Sequence, residues 1–225
     1  MIKIEKVLDN LIKEIIYTYE DKNWKIPIKS FCVKNSDDSN VGKIFEQYRN
    51  LQLNDNKAAR KYLKNNIELI HRFIADTVQV NENNKPDYVQ IFYPIDKLRR
   101  SIIEKFATKI LSKDEKEVKA NYSSSFYKKK KISSKLMQNS DNLFEYVRPH
   151  NLSSPVKNVW LIDDTMDTGN TINAFLNELM KNNLIDEKTS ICGFKLFNNR
   201  KRDTMYKSID GLNLQEIWDK LHGND

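Results

Sequence analysis

The sequence predicts an α/β fold in which a parallel sheet forms the core. Three apolar segments in the second half of the chain are predicted to be strands, residues 87–94, 156–162 and 190–197. Helical patterns at residues 102–111 and 172–181 separate them. Strands that alternate with helices and stay apolar along most of their length are buried on both faces. This order therefore indicates a parallel sheet that is covered by helices.

The first 80 residues are predicted to be mostly helical, as a hood or interaction segment ahead of a core at residues 81–225. Apolar residues recur at spacings of three and four in three segments, residues 2–19, 41–48 and 59–74. Residues 25–33 fit a short strand or an extended connection. Because no flexible linker divides the two parts, we expect the helices to pack over the core or to form an oligomer contact.

Between the first two core strands the pattern is less regular. Residues 116–122 fit a short strand, residues 133–139 a helix and residues 143–147 a further apolar segment. Residues 123–134 are polar and basic and contain few core residues. Little buried area would offset the entropy lost on ordering them, which predicts a loop that is mobile without ligand.

Length and composition bound the class of protein. A chain of 225 residues makes one domain, or one domain with an appendage, and can bury a core without disulfides or a structural metal. Its two cysteines, Cys32 and Cys192, lack metal-ligand spacing, which favours a reducing cytosol. No apolar run approaches the ~20 residues of a membrane helix, and the first residues lack the apolar core of a signal peptide. We therefore expect a cytoplasmic protein that does not enter membranes.

The chain carries a net charge of +7. A basic protein favours polyanionic partners, either nucleic acid or phosphate-rich small molecules. A solvated, lysine-rich surface without a partner has the same charge. Nucleic-acid binding therefore stays open.

The segment VWLIDDTMDTGNT, from Val159 to Thr171, carries the most specific chemical pattern. It is predicted to run as a strand into Asp163 and Asp164, at the edge where open α/β sheets bind ligands. Two adjacent carboxylates repel each other, so hydroxyl groups or a cation are their natural partners. The turn at residues 167–171 then offers backbone N–H groups and threonine hydroxyls to an anion at a helix start. A ribose 5-phosphate, with a diol and a phosphate, has the matching shape.

This segment resembles the phosphoribosyl-pyrophosphate (PRPP) signature of the type I phosphoribosyltransferases. The signature consists of an apolar strand, two acidic residues, three variable positions and Thr-Gly-x-Thr. The resemblance implies a Rossmann-like parallel core, PRPP as substrate or ligand, and Mg²⁺. It assigns the ribose hydroxyls to Asp163 and Asp164, which would meet the metal indirectly, through those hydroxyls or water. It assigns the 5-phosphate to Asp167, Thr168, Gly169, Asn170 and Thr171.

Asp167 bears on catalysis. Purine-salvage members of the family have Asp at this position, where its carboxylate faces the nucleobase and the reacting carbon. There it would stabilise developing positive charge or accept a proton from the incoming nitrogen. An aspartate that only starts a helix is the alternative.

The resemblance also assigns basic residues. Those at the family's pyrophosphate-loop position, as in ComF-type members, are Lys97, Arg99 and Arg100; a solvated helix start is the alternative. Lys129 and Lys130 lie in a lysine run at the position of the flexible catalytic loop, although such a run is also typical of a solvated surface. Lys195, near the end of the third core strand, would contact the nucleobase acceptor.

Three functions are compatible with these features. The first is an enzyme that transfers ribose 5-phosphate from PRPP to a nitrogen acceptor. The second is a non-catalytic PRPP sensor. The third is an accessory or effector subunit of a bacterial stress or phage-defence system, acting through a protein or nucleic-acid partner. The acceptor cannot be read, because residues 198–225 show no hood motif of the purine-salvage branch.

Overall fold

A computed structural model describes residues 2–7, 12–33, 40–78, 80, 85–94, 96–114, 116–118, 126–128, 144–146, 155–165 and 170–198. Their main elements in chain order are β1 (Ile2–Val7), β2 (Ile12–Tyr19), β3 (Lys22–Val33), α1 (Asn40–Asn54), α2 (Asn56–Thr77), β4 (Tyr88–Ile91), α3 (Lys97–Leu111), β5 (Phe126–Lys128), β6 (Phe144–Tyr146), β7 (Asn158–Asp163), α4 (Asn170–Lys181) and β8 (Ser190–Asn198).

The main sheet has six strands in the order β1-β2-β3-β8-β7-β4. Strands β3, β8, β7 and β4 are parallel to one another, and β2 and β1 continue the sheet in antiparallel pairing beyond β3. Strands β5 and β6 pair with each other in a separate ribbon. The structure confirms an α/β fold with a mostly parallel sheet, compatible with a Rossmann-like core.

The predicted helix at residues 2–19 is wrong, because this segment contains the strands β1 and β2, which pair with each other, and β2 pairs with β3. Five of the eight residues in β2 are Ile or Tyr, which favour strands, and Ile15 and Tyr17 alternate with less buried neighbours. Glu20 then takes a left-handed φ of 52° in the turn. Strand β3, expected to be short or extended, is twelve residues long and pairs with β8, so the sheet crosses the boundary placed at residue 80.

The helices after β3 agree with the predicted periodicity. The polar break at residues 54–56 separates α1 from α2, and Asp55 is the N-cap of α2. Its Oδ1 accepts from the backbone N of Lys57 at 2.8 Å and of Ala58 at 3.0 Å. Residues 116–118 are helical, whereas a strand was predicted there. None of the described helices is long and apolar enough to span a membrane.

Two apolar cores cover the two faces of the sheet. Helix α4 packs on one face, where Phe175 stacks on Tyr88 at 6.2 Å and meets Phe92 edge-on at 5.6 Å between ring centroids. Helices α1, α2 and α3 cover the other face, where Phe106 and Trp160 are buried. Helices on both faces leave the carboxyl ends of the parallel strands as the edge where ligands bind in such folds.

A carboxylate at the opposite end of the sheet, where β4 and β7 begin, fixes the register of these two strands. Asp87 precedes β4, and its Oδ2 accepts from the backbone N of Lys157 at 3.0 Å and of Asn158 at 2.9 Å. The two strands therefore start level, with Tyr88 opposite Val159. Because of this alignment, the residues that follow the two strands emerge side by side.

Replacing Ile26 by Ala should test whether β3 is integral to the fold. Ile26 is fully buried under α4, so the cavity should lower the free energy of unfolding by about 2–5 kcal/mol. Chemical denaturation measures the change. Lys25→Ala, in the same strand but exposed, is the matched control and should change stability little. Equal stability of both variants would mean that the N-terminal strands are not part of the cooperative core.

Candidate functional site

The two adjacent aspartates at the end of β7 diverge to opposite faces of the sheet. Along β7, Val159 and Leu161 belong to the core under α4, and Trp160 and Ile162 belong to the core under α1–α3. The alternation of strand side chains therefore places Asp163 on the α4 face. Asp164 lies on the α3 face, where it contacts a side chain of that helix.

Asp164 forms a buried ion pair with Arg99 from the first turn of α3. The Nε of Arg99 lies 2.6 Å from Oδ2 of Asp164, and a terminal nitrogen of the guanidinium contacts the same oxygen. Only 3% of the Asp164 side chain and 17% of the Arg99 side chain are exposed. Burial by itself lowers the pKa of Arg99, but the charge of Asp164 and the hydrogen bond to it raise that pKa above its usual value. Arg99 is therefore a permanent cation whose charge is matched inside the protein.

Further hydrogen bonds hold Asp164 in place. Its Oδ1 accepts from the Thr165 hydroxyl at 3.2 Å, and its backbone carbonyl accepts from the Phe197 N–H at 2.9 Å. The backbone N–H of Asp164 donates to Oδ1 of Asp163 at 2.8 Å. Asp164 thus has a structural role, and the half-buried Asp163 is the more accessible carboxylate of the two.

A second carboxylate, Asp96, orients the same helix start. Asp96 is the N-cap of α3 and accepts from the backbone N of Leu98 at 2.9 Å and of Arg99 at 3.2 Å. The Nε of Arg60, on α2, lies 2.9 Å from the other oxygen of Asp96. Alternating charges therefore connect α2, the start of α3 and the end of β7. Tyr48 of α1 lies close to this chain, and burial raises the pKa of its hydroxyl.

A row of polar residues crosses three strands on the α4 face. Lys195 of β8 is the register partner of both Asp163 in β7 and Ser30 in β3. Partners in neighbouring strands project to the same face. Lys195 is only 2% exposed, and the buried hydroxyl of Ser30 has no hydrogen-bond partner among the described residues. The N-terminal strand β3 therefore contributes a residue to the carboxyl edge.

The structure places the other predicted site residues as follows. Lys97 and Arg100 are exposed in the first turn of α3, and the Arg100 guanidinium lies 5.7 Å from the centre of the Tyr93 ring. Asn170 begins α4, and Thr171 is half-buried in its first turn. Five predicted residues lie outside the described part of the chain, namely Lys129, Lys130, Asp167, Thr168 and Gly169. Most of the predicted mobile loop lies outside it as well.

Several residues of this edge were not predicted from the sequence. The N-cap role of Asp96 was detectable, because an aspartate directly before an apolar helix pattern is a typical cap. The contacts of Arg60 and Asp164, and the place of Ser30, depend on pairings between distant segments, which no local pattern reveals. No group of three or more potential metal ligands occurs among the described residues.

Comparisons of the chain with protein-family models, with functionally characterised proteins and with solved structures find no match. The resemblance to the PRPP signature therefore depends on the thirteen residues that carry it.

Replacing Arg99 by Met should leave the Asp164 carboxylate buried without its partner. We expect the free energy of unfolding to fall by about 3–5 kcal/mol, as for other broken buried pairs. Adding Asp164→Asn removes the unpaired charge, so the double variant should regain much of this loss. Denaturant titration of the three proteins measures it. A loss under about 1 kcal/mol in the single variant would mean that solvent screens the pair.

Proposed function

We propose that this protein binds PRPP together with Mg²⁺ and transfers ribose 5-phosphate to a nitrogen acceptor. The observation that carries the proposal is the position of the signature. Strand β7 lies inside the parallel part of the sheet and ends on Asp163 at the carboxyl edge, and helix α4 begins shortly afterwards at Asn170. A strand that ends at the carboxyl edge and is followed within a few residues by a helix is the arrangement that a sugar phosphate site of this class requires.

The ribose would bind at the acidic pair. Asp163 is half-buried and faces α4, so we assign its carboxylate to a ribose hydroxyl. Asp164, already bound by Arg99, would contact the second hydroxyl only after a local rearrangement. The carboxylate oxygens suit Mg²⁺, but with no cluster of three acidic ligands among the described residues, ligand oxygens and water would complete its coordination.

The 5-phosphate would bind at the start of α4. The first turn of α4 contains no acidic residue, so the partial positive charge of the helix start is not cancelled there. The proposal assigns the phosphate to the backbone N–H groups of residues 167–171 and to the hydroxyls of Thr168 and Thr171. Gly169 would let the backbone approach the phosphate closely.

The pyrophosphate would meet the first turn of α3. Lys97 and Arg100 are exposed there, whereas Arg99 is matched by Asp164. We therefore assign the direct contacts with pyrophosphate to Lys97 and Arg100, and we assign to Arg99 the positioning of the acidic pair. Lys129 and Lys130 would close over the leaving group from the predicted loop.

The reaction would be a displacement at the anomeric carbon. The bond from this carbon to the pyrophosphate oxygen breaks with its electron pair, a bond to the acceptor nitrogen forms, and the nitrogen loses a proton. Bound Mg²⁺ would neutralise charge on the leaving group. Asp167 would stabilise the positive charge on the ribose or accept the proton. Lys195 is only 2% exposed, so it would contact the acceptor only after a local rearrangement. Most of the acceleration would come from positioning.

A PRPP sensor without catalysis is the second candidate. The observation that favours it is the internal pairing of Arg99 with Asp164, which leaves fewer charged groups for the leaving group and the ribose. Binding without pyrophosphate release would distinguish a sensor from an enzyme.

Asp163→Asn should weaken PRPP binding about 10- to 100-fold in the presence of Mg²⁺, because a hydrogen bond to a charged acceptor contributes about 1.5–3 kcal/mol. Calorimetric titration measures the affinity. Asp21→Asn, which changes an exposed carboxylate in the β2–β3 turn, is the control and should bind as the wild type does. If the two variants bind equally well, the ribose assignment is wrong.

Asp167→Asn should reduce turnover about 10²- to 10³-fold while PRPP affinity is retained, since the variant loses a charge-stabilising or acid–base group but keeps the backbone of the phosphate site. The assay is pyrophosphate release with a panel of nitrogen heterocycles as acceptors. Unchanged turnover would assign Asp167 to the turn alone. Wild-type protein that binds PRPP but releases no pyrophosphate with any acceptor would favour the sensor.

A further inference from the structure

Helix α2 presents a row of cations to solvent. Lys57, Arg60, Lys61 and Lys64 are all exposed and occupy positions i, i+3, i+4 and i+7, so they share one face of the helix. They span about 10 Å along its axis. We call these four residues the α2 basic stripe. The first acidic residue within the helix is Glu68, one turn beyond the stripe.

The stripe borders the start of a second helix with the same character. Arg60 contacts Asp96, the residue immediately before α3, and the exposed cations Lys97 and Arg100 follow in the first turn of α3. Neither α2 nor α3 has an acidic residue in its first turn. The two helix starts therefore bring their partial positive charges and their basic side chains to one region of the surface.

This placement of charge works against the stability of the helices. Cations near a helix N-terminus oppose the helix dipole, and like charges four residues apart repel each other, as in the pairs Lys57–Lys61 and Arg60–Lys64. The carboxylates at these helix starts are the caps Asp55 and Asp96, whose side chains accept from backbone N–H groups. Among the described residues, Arg60 has an ion pair, and Lys57, Lys61 and Lys64 have none. The electrostatics of the helix thus disfavour the stripe, whereas an anionic partner would favour it.

The surface composition distinguishes between two kinds of anionic partner. Protein interfaces rely on buried apolar or aromatic anchors. In the part of the chain that the structure describes, the one exposed large hydrophobic side chain is Leu69, which lies beyond the stripe. Contacts with a phosphodiester backbone need cations and no such anchor. We propose that the α2 basic stripe, together with Lys97 and Arg100, binds the backbone of a nucleic acid without reading its sequence.

Two triple variants with the same change in net charge test this proposal. The stripe variant carries Lys57→Glu, Lys61→Glu and Lys64→Glu. The control carries Lys25→Glu, Lys157→Glu and Lys188→Glu, three exposed lysines outside the stripe. Each triple lowers the net charge by six, from +7 to +1. Fluorescence anisotropy with a random-sequence DNA duplex and with a single-stranded RNA of equal length measures binding by the full chain, and binding of either probe supports the proposal.

The stripe variant should bind the preferred probe about tenfold or more weakly than the control variant does. Its affinity should also depend less on salt. The slope of log affinity against log salt concentration should become shallower by about 0.9 for each duplex phosphate that the variant no longer neutralises. Its thermal midpoint should equal or exceed that of the wild type, because glutamates near the start of α2 favour the helix dipole. Weaker binding with an intact melting transition therefore cannot come from unfolding. PRPP binding should be unchanged, so the outcome is independent of the transferase proposal.

Several results would overturn the inference. Wild-type protein that binds neither probe at about 50 mM salt has no nucleic-acid surface. Equal losses of affinity in the two triple variants would assign binding to net charge and not to the stripe. Competition by poly-glutamate as strong as that by nucleic acid would favour an acidic protein partner.

Discussion

The buried ion pair between Arg99 and Asp164 is the contact on which the carboxyl edge of the sheet depends. It joins the end of β7 to the first turn of α3, and Asp96 fixes that turn from the other side through two backbone hydrogen bonds and Arg60. A charge buried to this extent is tolerated only with its partner in place. The pair therefore specifies how α3 is positioned on the sheet. Apolar packing is non-directional, so it would fix this position less strictly by itself.

The alternation of strand side chains gives the two adjacent aspartates different roles. Asp164 lies on the α3 face and is neutralised by Arg99, while Asp163 lies on the α4 face, level with Lys195 in β8. Mutual repulsion of the two carboxylates is thereby reduced, because each has a cationic side chain on its own face of the sheet. A short acidic motif at a strand end can thus combine a buried structural carboxylate with a more accessible one.

The core strands and helices were largely predictable from sequence, and residues 25–33 were expected to be extended, whereas β1 and β2 were not predicted. In β7 and β8 the apolar run is nearly continuous, and only a buried strand fits its length. In residues 2–19 the apolar residues fit a period of three to four about as well as a period of two. In the structure, β1 and β2 extend a sheet through β3, which pairs with β8, a strand far away along the chain, and a local pattern does not reveal this pairing. The place of Ser30 beside Lys195 and the contact of Arg60 with Asp96 escaped prediction for the same reason.

The electrostatics of the carboxyl edge connect the site with the helical surface beside it. Helices α2, α3 and α4 all start without an acidic residue in the first turn, and Arg60 brings the start of α2 to that of α3. The carboxylates Asp96 and Asp164 are matched by Arg60 and Arg99, so they cancel little of the remaining positive charge. An acidic motif in this setting does not make the edge acidic. The positive charge of the edge is therefore balanced by one half-buried carboxylate, Asp163, and the sugar phosphate proposed as its ligand would combine an overall negative charge with hydroxyl groups for that carboxylate.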